Sequence, residues 1–264
     1  MGREPPLVSC LMLSRNRLAI AMRSMRFYHD QRYPNLELVV VSQGTEEYIN
    51  QLARHAQRHG IRNVRVVAAE PGLPIGALRN ISLESAHGDI VCQWDDDDCY
   101  HPERVSRQFQ ELTQQDAQAC YLADHLHLLL PSRRVYWNDW TRNEAREHEY
   151  RVLPGTVMMV NDHRRRYPEN GPRADCGEDL SMGTQLYRTV PVATVHAMGW
   201  LYLYVFHGSN TMSEHHHERL TIRRRCHDEL LTTHAVEISL ALRYFCVERP
   251  LHVCGSKGTV FSVK

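Results

Sequence analysis

The sequence predicts an α/β protein with a mostly parallel central sheet flanked by helices and a small C-terminal helical and hairpin extension. Three observations carry this. Apolar, β-prone runs at residues 7–13, 36–41, 64–69 and 90–94 each fit a strand buried on both faces. Helical patterns at residues 18–28, 46–59 and 77–86 alternate with them, the βαβ rhythm of a parallel sheet. The fourth run opens directly onto Asp95, Asp96, Asp97 and Asp98. In such sheets ligands bind at the carboxyl edge of the strands.

Each element has a local reason. The first run ends at Ser14, Arg15, Asn16 and Arg17, polar groups at a strand-to-helix turn that suit a phosphate or nucleoside or, equally, a helix cap. Tyr33, Pro34 and Asn35 make the turn into the second run, which ends at Ser42, Gln43 and Gly44. The loop Pro71, Gly72, Leu73 and Pro74 launches the third helix, and Gly88 ends it. Pro102 opens a helix to residue 114. Residues 120–130 and 134–140 read as two strands about the turn Pro131-Ser132, with Tyr136, Trp137 and Trp140 able to pack or to stack on a sugar. Residues 155–161 read as a strand, 180–187 as a helix behind Glu178 and Asp179, and 202–206 as a late strand ending at His207. Residues 214–245 hold one or two helices, and 251–263 form a hairpin about Gly255 to Gly258.

Four adjacent carboxylates repel one another, so their place at the end of a core strand points to a bound cation or cationic ligand. Alternation along an extended segment would turn Asp95 and Asp97 to one side and Asp96 to the other. The simpler reading is a solvated acidic turn ahead of a helix start.

Composition narrows the class. The 264 residues carry 31 basic and 31 acidic side chains, so no global field attracts nucleic acid, and any polyanion contact must be local. Seventeen histidines make any single one weak evidence for a metal site. The eight cysteines form no C-x-x-C pair, which fits a reducing compartment. There is no secretory leader pattern and no apolar span of 18 residues, so the expected location is cytoplasmic or peripheral to a membrane.

Five segments in order resemble the family 2 glycosyltransferases of GT-A fold: VSCLMLSRNR, QRYPNLELVVVSQGT, GALRNISLESAHGDIVCQWDDDDCYHPERV, CGEDLSM and HGSN. The resemblance spans roughly residues 7–210 and implies a transferase domain over 1–212, with 213–264 packed on it as an extension. It implies an inverting, metal-dependent transfer from a nucleoside-diphosphate sugar, UDP-sugars favoured, to an acceptor hydroxyl. Asp97 and His207 would hold Mn²⁺ or Mg²⁺ on the donor diphosphate. Ser14, Arg15, Ser42, Gln43, Arg79, Asp95 and Asp96 would meet the nucleotide, and Asp179 would serve as general base. Glu178, Trp137 and Trp140 are candidate contacts to donor sugar or acceptor, whose site is expected within residues 120–175 and 208–264. Where many relatives place acids at the end of the second strand this chain has Ser42 and Gln43, so the nucleobase is less determined. The competing readings are a haloacid-dehalogenase-like phosphohydrolase, built on Asp95-x-Asp97, and an inactive nucleotide-sugar-binding relative.

Overall fold

A computed structural model describes residues 4–142 and 151–264, so that part of the expected acceptor region, residues 143–150, lies outside the described residues. In chain order the elements are β1 (Val8–Leu13), α1 (Leu18–His29), β2 (Leu36–Ser42), α2 (Glu46–Arg58), β3 (Val64–Ala68), α3 (Ile75–Ser85), β4 (Ile90–Gln93), β5 (Cys99–Tyr100) and α4 (Arg104–Gln114). There follow β6 (Ala119–Leu122), β7 (Asp124–Leu129), β8 (Arg134–Asp139), β9 (Met158–Val160), α5 (Glu178–Thr189), β10 (Val192–Val195) and β11 (Tyr202–Phe206). The chain closes with α6 (Glu214–Arg224), α7 (Asp228–Thr233), α8 (Ala235–Tyr244), β12 (Leu251–Gly255) and β13 (Gly258–Val263).

Contacts gather the chain into two compact units interleaved in sequence. One comprises Met1–Asp97, Val105–Tyr121 and Pro154–Ala193; the other comprises Asp98–Arg104, Leu122–Leu153 and Thr194–Lys264. The first is built on a seven-stranded sheet ordered β10-β6-β9-β4-β1-β2-β3. Strands β4, β1, β2 and β3 run parallel, as the sequence pattern requires, with Cys10 facing both Cys92 and Leu38. Strand β9 then runs antiparallel to β4 and to β6. Strands β1 and β2 are buried almost throughout, which is why they read as continuous apolar runs rather than alternating ones.

The second unit has a six-stranded sheet ordered β13-β12-β8-β7-β11-β5. Two expectations change here. The run at 120–130 is two strands, β6 and β7, parted at Ala123 and assigned to different sheets; both are wholly buried, Asp124, His125 and His127 included, so burial does not mark the break. The segment 214–245 holds three helices rather than one or two. The predicted hairpin forms, and β12 joins it to β8 in parallel register. Helix α6 packs on β8, and α7 on both strands of the hairpin. Among the described residues no helix is long and apolar enough to cross a membrane.

Asp98, the last of the four aspartates, serves this second unit. It is 1% exposed; its Oδ1 accepts from the Val205 backbone N–H at 2.9 Å, and its Oδ2 accepts from the Tyr202 hydroxyl. Asp98→Ala strands both donors in the interior, so it should lower stability by about 1–3 kcal/mol, read as a shift in the urea midpoint at unchanged slope.

Candidate active site

Strand β4 delivers the aspartates of the first unit into a turn, where the period-two alternation expected of an extended segment no longer holds. Asp95 accepts from Gln93 Nε2 at 3.1 Å and from Arg79 Nη2 at 3.0 Å. Asp96 is 1% exposed; Ser14 Oγ donates to it, and Arg17 pairs with it. The same Arg17 guanidinium reaches Asp97 Oδ2 at 3.0 Å, and Arg23 donates to the Asp97 carbonyl at 2.8 Å. Asp96 and Asp97 therefore share one cation instead of facing opposite ways. The counter-charge expected from a ligand is supplied in part by the chain. Burial, reinforced by repulsion from Asp97 and opposed by Arg17 and Ser14, pushes the Asp96 carboxyl up to about 7.

Arg79 is the junction of the site. From the interior of α3 its Nη2 holds Asp95, while its Nε donates to Glu178 Oε1 at 2.9 Å. Burial opposes its charge, but the carboxylates of Asp95 and Glu178 outweigh that and hold its pKa well above the ordinary value. The next residue, Asn80, donates to the Tyr167 carbonyl and to Glu169, and accepts from the Tyr167 N–H at 2.8 Å. Gly76, one turn earlier, leaves room for the same segment: a Cβ there would lie 1.9 Å from the Pro168 carbonyl oxygen. One helical turn thus fixes both the aspartate turn and the loop that leads to α5.

At the start of α5, Asp179 follows Glu178 and is half-buried. Burial, together with the charge of Glu178, raises its carboxyl to about 6 against the lowering effect of Arg79. Glu178 is placed as the partner of Arg79. At the end of β2, Ser42 is buried and accepts from the Gly44 N–H, while Gln43 Nε2 donates to the carbonyls of Glu70 and Leu73. Arg15 is exposed. Of the two arginines in the first turn, it is Arg17, named with the polar turn but not among the candidate site residues, that meets the aspartates. Its only sequence signal was its place two residues further into the strand-to-helix turn.

The glycosyl transferase family 2 model matches residues 9–169, more than half of the chain. The chain belongs to glycosyl transferase family 2. The match takes in every candidate from Ser14 to Asp97 and stops short of Glu178, Asp179 and His207. No curated protein sequence matches the chain significantly. Among solved structures, S. aureus TarS (residues 1–349) aligns at 15% identity and a TM-score of 0.56, over 88% of this chain and 74% of that one. TarS in complex with UDP-GlcNAc aligns at 13% and 0.58, over 91% and 68%. The mannosyltransferase PcManGT from Pyrobaculum calidifontis, in complex with GDP-Man and Mn²⁺, aligns at 14% and 0.55, over 91% and 70%. At these identities the likeness establishes the shared GT-A fold.

The remaining candidates of this family 2 glycosyltransferase lie in the second unit. His207 is half-buried at the end of β11; its Nδ1 takes the Ser209 hydroxyl at 2.9 Å and its backbone N–H donates to Asn210. Trp137 is 1% exposed and packs against Trp200 and His234. Trp140 is 5% exposed, with the Arg224 guanidinium over its ring. Both rings have taken the packing fate, Trp137 within β8 and Trp140 in the short helical turn that follows it, one residue past the end of the strand.

Among the described residues no group of three acidic, histidine or cysteine side chains forms a ready-made metal cage. The donor set still fits a hard divalent ion of the kind held by one or two carboxylates plus substrate phosphates. Asp95 and Asp97 supply such oxygens, and Asp97 keeps 18% of its side chain open to solvent. Because Arg79 lowers the Asp179 carboxyl, Arg79→Gln should move the acid limb of any activity dependent on Asp179 to higher pH. A pH–rate profile of the variant against the parent checks this.

Proposed function

We propose that this protein is an inverting, metal-dependent glycosyltransferase that moves a sugar from a nucleoside-diphosphate donor, a UDP-sugar in the first instance, to an acceptor hydroxyl. The observation that carries the reading is the buried Arg79 fork, which ties Asp95 at the end of β4 to Glu178 beside a half-buried Asp179 whose pKa is raised to about 6. Family membership supports glycosyl transfer in general, and the neighbour structures bound to UDP-GlcNAc and to GDP-Man support a nucleotide-sugar donor. The phosphohydrolase reading is not favoured by the family. In this reading residues 1–212 are the transferase region and 213–264 its extension. The fold is compatible with a cytoplasmic or membrane-peripheral protein.

Asp97, with His207, would hold Mn²⁺ or Mg²⁺, which supplies neutralising charge to the departing diphosphate. Arg17 and Arg79 add guanidinium charge near Asp95, Asp96 and Asp97, and Ser14, Arg15, Ser42 and Gln43 line the strand ends proposed to meet the nucleoside. Asp179 takes the proton from the acceptor hydroxyl as that oxygen attacks the anomeric carbon from the side opposite the diphosphate. A carboxyl near pKa 6 is mostly ionised at neutral pH and more basic than an ordinary carboxylate, which suits a general base. Glu178, held by Arg79, fixes the helix start that carries Asp179.

Asp179→Asn should keep donor binding and lower turnover by about 10²- to 10⁴-fold. In the parent enzyme kcat/KM should rise with pH through about 6, because the base works only when deprotonated. Product NMR should show an inverted anomeric centre, and retention would remove Asp179 from this role. A screen of UDP- and GDP-sugars by thermal shift identifies the donor.

Asp97→Asn should weaken Mn²⁺ binding, followed by electron paramagnetic resonance, with the fold intact. His207→Ala should raise the Mn²⁺ needed for half-maximal activity and shrink the advantage of Mn²⁺ over Mg²⁺, since imidazole is a better ligand for the softer ion. Full turnover in excess EDTA with no metal in the preparation would overturn the metal requirement.

A further inference from the structure

The second unit buries a polar cluster to which the proposed transfer chemistry assigns no role. His125 on β7 stands opposite Asn138 on β8, and α6 turns His217, Thr221 and Arg224 inward against β8. Arg224 is 1% exposed, yet among the described residues its Nε, Nη1 and Nη2 all lack a hydrogen-bond partner. Its Cζ lies 4.0 Å from the Trp140 ring centroid, a contact that satisfies the face of the guanidinium but none of its N–H groups. The carboxylates next along these two strands are engaged elsewhere: Asp124 accepts from the backbone N–H groups of Ala197 and Met198, and Asp139 accepts from Thr141.

His125 adds a donor of the same kind. The Trp140 indole can only donate, and it does so to His125 Nδ1 at 3.3 Å. The ring is neutral, since burial, aided by Arg224, lowers its pKa to about 3. Its single proton therefore sits on Nε2, which is buried and also without a partner among the described residues. Four donor nitrogens and one full positive charge are thus buried in this cluster, where Asn138 Oδ1 is an orphaned acceptor that none of them reaches. Arg224 is pulled down only to about 10 and stays charged at neutral pH. A buried charge left in this state is costly, and buried polar groups without partners mark places where a ligand, ion or water belongs.

We propose that Arg224 and His125, walled by Trp140, form an enclosed binding site for a carboxylate group. The guanidinium fork matches a carboxylate with two parallel hydrogen bonds, and His125 Nε2–H supplies a further donor. Charge selects within the oxyanions: one carboxylate neutralises one guanidinium, whereas a phosphate monoester would leave about one excess negative charge buried. The site is independent of the transfer chemistry proposed for Asp179, so it stands or falls by binding alone.

The test uses the full chain without donor or metal, titrated with sodium formate and sodium acetate against sodium chloride at equal ionic strength. The melting temperature should rise with the logarithm of carboxylate concentration, and not with chloride. Arg224→Met should abolish that rise and, without carboxylate, should melt no lower than the parent, because it removes an uncompensated buried charge. Should Arg224→Met fail to fold, Arg224 is needed structurally without any ligand, and the proposal is overturned unless saturation-transfer NMR still shows formate bound to the parent and not to His125→Phe. Equal stabilisation by chloride, a stronger response to inorganic phosphate, or a formate response that survives in Arg224→Met each overturns it.

Discussion

The first unit depends on one buried guanidinium. Arg79 sits in the middle of α3 with carboxylates on two sides, the half-buried Asp95 and the buried Glu178, and Glu178 would not be tolerable so deep without it. A lysine could meet one of those carboxylates as a point charge but not hold both in a planar fork. Since the adjoining Asn80 and Gly76 pin the segment around Tyr167 and Pro168, the end of β4 and the start of α5 are set by the same stretch of helix. The consequence is chemical as well as mechanical. The charge that orders Glu178 also restrains the pKa of Asp179, which would otherwise climb further under burial.

The parallel half of the first sheet was legible because β1, β2 and β4 are buried on both faces and the intervening helices keep their period, while β3, a half-exposed edge strand, was read from its β-prone residues. Residues 7–13, 36–41, 64–69 and 90–94 correspond to β1, β2, β3 and β4 within two residues at either end. The same property that made these runs readable concealed the boundary at Ala123. Both sides of that boundary are wholly buried, so burial gives no sign of where the chain leaves one sheet and enters another. Strand β5 is two residues long, too short for a pattern to register.

The site was legible in its residues and less so in its wiring. The aspartate run stands out by type and spacing, and Arg79 and Asp179 by the family resemblance of their segments, but the partners of all three depend on tertiary approach. Arg17 rather than Arg15 faces the aspartates because the chain bends after Ser14, with Asn16 in the left-handed region at φ 52° and its side chain accepting from the Thr45 N–H. The fate of Trp137 was decided by Gly199, where a Cβ would come within 2.7 Å of the indole. Neither approach leaves a mark in the local sequence.

Arg17 has one more consequence. By bridging Asp96 and Asp97 it lets the crowded turn close around a cation that is covalently part of the chain. Many metal sites assemble only when the ion arrives, so that depletion unfolds them. Here the turn carries its own cation. On the metal requirement proposed above, a cell short of the divalent ion would hold this enzyme idle but folded, ready to resume work when the ion returns.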